Sequence, residues 1–193
     1  MRQQIAAALC SVVFGFTASS PLAMAGSSPQ DRQVYTSIRD LMQSIIDPSA
    51  DTLWRAVGTI VDKENGIQDL SPKTPEEWLD MRHAAVRIIE GGNLLMMARR
   101  QAAPAGAKSE TPGVELEPAQ ITALIRKNRR TFDAFARSLQ GLGLDALRAS
   151  DAKNADLLMD VGARMENVCE SCHQTFWYPP PSTPQSGGQG SSP

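Results

Sequence analysis

The chain has 193 residues, 41% of them hydrophobic and 21% charged, with a net charge of -2 at pH 7. That mildly acidic balance favours neither nucleic acid nor an anionic membrane surface as a partner. The length suits one domain with a sizeable core and argues against two or three.

The first 25 residues read as a secretory signal peptide: "MRQQ" gives a positive start, "IAAALCSVVFGF" an apolar run, and "PLAMAG" an Ala-x-Ala cleavage site, cut after Ala25. The apolar run is too short to span a bilayer. No later segment reaches the roughly 20 apolar residues a membrane helix needs. An exported, soluble domain over residues 26–178 with no stable membrane insertion is therefore expected. Cys10 belongs to the leader, because Leu9 is a poor lipobox neighbour and the small-residue site comes later.

Four helical patterns follow. The first opens at "SSPQD", with Ser28 as N-cap and Pro29 at the first helical position. Its apolar stripe runs through Tyr35, Ile38, Met42 and Ile45. Asp47 and Pro48 break or kink it, and the helix resumes with Leu53, Trp54 and Val57. The stretch "DKENGIQDLSPK" is rich in turn formers and carries no alternating strand pattern.

In the second helix, Thr74, Pro75 and Glu77 form a capping box, and Trp78, Met81, Ala85, Ile88, Gly92 and Leu95 form the buried stripe. It is expected to end near Arg100, before a surface loop from Gln101 to Glu117. The third helix starts near Pro118 and buries Ile121, Ile125, Phe132, Phe135 and Leu139 before "GLGL" weakens or ends it. The basic run "RKNRR", Arg126 to Arg130, reads as a solvated helix face.

A fourth helix from about Asp151 has the stripe Ala155, Leu158, Gly162, Met165, Cys169, Cys172 and Phe176. Both cysteines thus fall on its core face. Residues 179–193, "PPPSTPQSGGQGSSP", cannot pack and are expected to be disordered. With "CESCH", Cys169 to His173, near the end of the fourth helix, the fold class expected is all-α, an antiparallel four-helix bundle with covalently bound haem c near one end.

That last expectation rests on "NVCESCHQTFWY", since Cys-x-x-Cys-His is the spacing of a c-type haem attachment site. In an oxidising compartment the same pair could form a disulfide. A redox-active pair, however, sits at a helix N-terminus within a strand-rich pattern, which this sequence lacks. Zinc wants four ligands, and only the distant His83 is available as a fourth. On a helix, residues three and four apart share a face, so Cys169, Cys172 and His173 can be presented together. The two sulfurs then tether the porphyrin and the imidazole of His173 becomes the proximal iron ligand.

With a signal peptide, four amphipathic helices and "CESCH" near the end of the last one, the chain resembles the class II c-type cytochromes, the cytochrome c prime and cytochrome c-556 group. Class I cytochromes c carry the motif near their N-terminus. The resemblance covers roughly residues 30 to 178 as an architecture, and "DPSADTLW" and "EGGNLLMM" are similar to stretches of a proteobacterial subgroup. It implies a periplasmic carrier of single electrons, not an enzyme, holding one covalent haem c. Redox partner proteins and the haem maturation machinery are the implied partners, and a homodimer is compatible with the family.

Members similar to cytochrome c-556 are low-spin and take a methionine of the first helix as sixth ligand. Met42 in "IRDLMQSII" occupies the matching position. Members similar to cytochrome c prime leave that side open and bind nitric oxide or another diatomic gas, which is the alternative function; Met42 would then be a steric wall. Met96 is a packing residue beside the second helix's stripe, Met97 is less well placed, and Met159 and Met165 share the helix of the proximal ligand. His83 lies about 200° around the second helix from Met81 and is expected to be exposed. The sequence departs from cytochrome c prime in having no basic residue in "HQTFWYP", and from the family's uninterrupted first helix at Asp47 and Pro48.

Overall fold

A computed structural model describes residues 33–178. The expected leader, the cap at Ser28 and Pro29, and the C-terminal tail lie outside the described residues.

The described chain is predominantly helical, as expected, but its first helix begins later than the apolar stripe implied. Ser37 is the N-cap of α1 (Ile38–Leu41), in a capping box with Asp40. Tyr35 is 83% exposed and precedes the helix. The reason is tertiary: the N–H groups of Ile38 and Arg39 donate to the carbonyls of Gln101 and Ala102, both at 2.9 Å, so the loop supplies partners that another helical turn would have supplied. The buried Arg100 reinforces this by donating to the Thr36 carbonyl at 2.5 Å.

The break expected at Asp47 and Pro48 is an accommodation. A π turn (Met42–Ile46) joins α1 directly to α2 (Asp47–Arg55), so the helical path continues through the proline. The buried apolar residues of this run are Ile38, Leu41, Ile46, Ala50 and Leu53, Ser49 is buried with them, and Met42 and Ile45 are half-buried.

The helix resuming at Leu53 ends at Arg55 instead of continuing through Val57, and the stretch after it joins the segment read as turns to form a hairpin. Strands β1 (Gly58–Asp62) and β2 (Gly66–Leu70) pair antiparallel, with Val61 opposite Ile67. Asp62 accepts from the backbone N–H groups of Glu64 and Asn65, and Gly66 turns the chain at φ +73. Most of the hairpin is exposed, which is why no buried alternation marked it in the sequence.

Helix α3 (Pro75–Leu95) has the expected Thr74 and Glu77 capping box, and all six residues of its expected stripe are buried. It stops five residues short of Arg100. The third helical pattern is divided by Asn128 into α4 (Pro118–Lys127) and α5 (Arg129–Asp151). Nor does "GLGL" end it: α5 runs straight through Gly141 and Gly143. A Cβ on Gly143 would lie 2.8 Å from Ile89 Cγ1 and 3.1 Å from Ile89 N, so this glycine admits the backbone of α3. Helix α6 (Ala155–Phe176) starts after the N-cap Asn154, whose side chain accepts from the Leu157 N–H at 2.9 Å.

Packing joins α3 to α5, α5 to α6, and α2 to both α3 and α6. The core between them includes Ile38, Leu53, Ile88, Leu158, Val161 and Met165, each at most 1% exposed. Among the described residues no helix is long and apolar enough to cross a membrane.

Candidate functional site

The final turns of α6 are fixed from three sides. Phe176 is fully buried and meets Phe132 and Phe135 edge-on, with ring centroids 5.5 and 6.3 Å away. The His173 carbonyl accepts from the N–H groups of Trp177 at 2.7 Å and Tyr178 at 3.2 Å. Leu116 N–H then donates to the Trp177 carbonyl at 2.8 Å. Because Phe176 lies four residues after Cys172, burying it turns the Cys-x-x-Cys-His face inward.

That face borders an apolar cavity of about 720 Å³, open mouth included. Cys169, Cys172 and His173 line it from α6, and Met42 from the π turn. Phe132, Phe135 and Leu139 supply the wall from α5, and Leu95 closes it from α3. All four residues singled out from the sequence therefore meet at one cavity. His173 and Met42 also border a second, more polar groove, together with Asp47 and Trp177.

Burial governs the electrostatics here. It pushes the Cys169 thiol up to about 11, helped by the negative charge of Asp47, and the Cys172 thiol up to about 12, helped by Cys169. Both cysteines are free thiols and stay protonated near neutral pH. Thiol-disulfide exchange needs the opposite, a thiolate stabilised below the ordinary range. Asp47 is exposed over much of its surface, but burial at the cavity raises its carboxyl above the usual range, while His173 pulls it back down.

These features fit a covalently held haem on their chemistry: two neutral thiols and an imidazole on one helix face, a thioether from a second helical segment, and an apolar wall around them. Among the described residues no three His, Cys, Asp or Glu side chains converge as a metal cluster.

The remaining sequence candidates lie elsewhere. His83 is exposed on α3, as expected. Met96 packs against the core, and the Met97 sulfur accepts from Arg100 at 3.4 Å. Met165 is fully buried and Met159 is 44% exposed. In the basic run Arg126, Lys127 and Arg130 are exposed. Arg129 departs from the solvated face: half-buried, it pairs with Asp133 at 2.7 Å, donates to the Leu95 carbonyl at 3.4 Å and stacks over Phe132.

Sequence reasoning missed Asp47 and Trp54 as wall residues. Trp54 was legible only as an apolar position, and nothing local indicates that Asp47 turns toward the cavity. Phe132, Phe135 and Leu139 were found as a stripe at spacings of three and four, but as core. Neither a known family profile, nor a curated protein, nor a solved structure matches the chain.

Proposed function

We propose that the protein is a periplasmic monohaem c-type cytochrome that carries single electrons between partner proteins. In this reading α1 to α2, α3, α5 and α6 form an antiparallel four-helix bundle, and the N-terminal 25 residues direct export. The observation that carries the reading is the convergence of Cys169, Cys172, His173 and Met42 on one apolar cavity.

When bound, haem supplies an iron that alternates between ferrous and ferric states. The chain's residues do the rest. Cys169 and Cys172 would hold the group through thioether links to its two vinyl side chains. His173 provides an imidazole whose backbone is already fixed by Trp177, Tyr178 and Phe176. Met42 offers a neutral thioether from the π turn, and soft ligation by sulfur favours the reduced state. Phe132, Phe135 and Leu139 exclude water, which lowers the local dielectric and limits solvent reorganisation when charge changes.

The five-coordinate alternative draws on the same apolar wall, which could accommodate a diatomic gas if Met42 stayed off the metal. An absorption spectrum of the protein exported from a host with haem maturation machinery separates the two. Sharp reduced bands and a near-infrared methionine-to-iron band in the oxidised form, lost in Met42→Ala, support the carrier. A broad high-spin spectrum that ignores Met42→Ala and shifts with carbon monoxide supports gas binding.

A further inference from the structure

Pro48 has no N–H to offer the carbonyl of Ser44, and its ring crowds that carbonyl in an α-helix. The π turn removes the conflict. Asp47 donates its N–H to the Met42 carbonyl, five residues back, in place of the usual four. One extra residue in a turn rotates the chain before it by about 100° relative to the chain after it. The burial pattern records this rotation: Leu41 and Ile46 are 5% and 2% exposed, although residues five apart in an α-helix differ by about 140°. Met42 is the first residue of the wide turn, and reaches the cavity wall from it.

Helix α3 holds the turn through two residues one helical turn apart. The Arg87 Nε donates to Ser49 Oγ at 3.0 Å, and Ser49 Oγ donates to the Ile45 carbonyl at 2.5 Å. Ser49 is 0% exposed, so its hydroxyl has no water to fall back on. At Gly91 a Cβ would stand 2.8 Å from Ile46 Cγ1, so α3 presses directly on the turn. Arg87 and Gly91 share one face of α3 at a spacing of four.

We infer that Pro48, Ser49 and Arg87 are positioning residues that set the rotation and height of Met42, and thereby the strength with which its thioether competes for the sixth position of a bound haem. The inference rests on the proposed haem-binding reading and deepens it. A thioether is a weak neutral ligand, so its occupancy depends on how little the backbone must move to present it. Pro48 denies the turn an α geometry, and the chain from Arg87 through Ser49 to the Ile45 carbonyl pins the π geometry in its place. Neither Ser49 nor Arg87 needs to touch the cofactor.

The test is a titration of the ferric, haem-loaded protein with imidazole, which competes with Met42 and is read by visible absorption at matched haem content per chain. Met42→Ala removes the competitor and should tighten imidazole binding strongly. Ser49→Ala and Arg87→Ala, which leave Met42 in place, should each tighten it about tenfold, equivalent to about 1.4 kcal/mol. In the Met42→Ala background the same two substitutions should change nothing, which a general loosening of the fold would not reproduce. Arg87 is exposed, so its truncation leaves buried packing intact and guards against a misfolded Ser49 variant. Tightening of equal size in both backgrounds, or none in the Met42 background while Met42→Ala itself responds, overturns the positioning role alone. An unresponsive Met42→Ala instead removes the ligation reading, and the inference with it.

Discussion

The indole Nε1 of Trp54 donates to the Gly162 carbonyl at 3.0 Å, tying α2 to α6 about two turns before Cys169. The bond sets the separation of the helical run that carries Met42 from the helix that carries His173. Trp54→Phe keeps an aromatic ring but removes the donor together with part of the ring system. It should lower unfolding stability by about 1 kcal/mol in urea titrations, with an unchanged m-value. A neutral result would mean that the contact does not brace the two elements.

Phe176 anchors the last turn of the helix that carries Cys169, Cys172 and His173. Its complete burial between Phe132 and Phe135 predicts that Phe176→Ala costs about 3–5 kcal/mol. Phe176→Leu should cost less, since it keeps most of the volume. Thermal unfolding of both variants checks the ranking.

The thiol shifts make a prediction for the haem-free chain. With Cys169 near 11 and Cys172 near 12, against an ordinary value of 9.0, alkylation by iodoacetamide at pH 8 should be about 100-fold slower at Cys169, and slower again at Cys172, than at an unperturbed thiol. Both folded values are raised, so the unfolded chain loses these protons first. Their contribution to stability is full below about pH 9 and is lost as pH rises through 11 to 12. Site-resolved mass spectrometry of the alkylated protein, with alkaline unfolding curves, tests both statements. Rapid labelling at pH 8 would contradict them.

Asp47 adds to the upward push on Cys169. Asp47→Asn should therefore speed alkylation of Cys169 and leave Cys172, whose shift comes from burial and from Cys169, largely unaffected. An equal change at both sites would assign the effect to looser packing.

Much of the architecture was legible because local signals agreed with the tertiary outcome. Thr74 and Glu77 sit three apart before an apolar stripe, and the capping box and helix follow. The site was legible for the same reason, as Cys169, Cys172 and Phe176 repeat at helical spacing. What failed had long-range causes. Gly143 reads as a helix breaker until Ile88 and Ile89 of α3 are seen to need its missing side chain. Tyr35 continues the stripe of Ile38, yet Gln101 and Ala102 take the hydrogen bonds that would have wound it into the helix. Pro48 was recognised as a disturbance, but the choice between a break and a π turn depended on Ser49 and Arg87, which lie 38 residues apart.

The central claim is that Cys169 and Cys172 carry haem covalently. Its most direct test is the intact mass, under denaturing conditions, of the protein exported from a host with haem maturation machinery. The account predicts a chain lacking its leader and heavier by one haem, with the extra mass confined to the peptide containing "CESCH". An unmodified chain with two alkylatable thiols, or one with a disulfide between them, would contradict it.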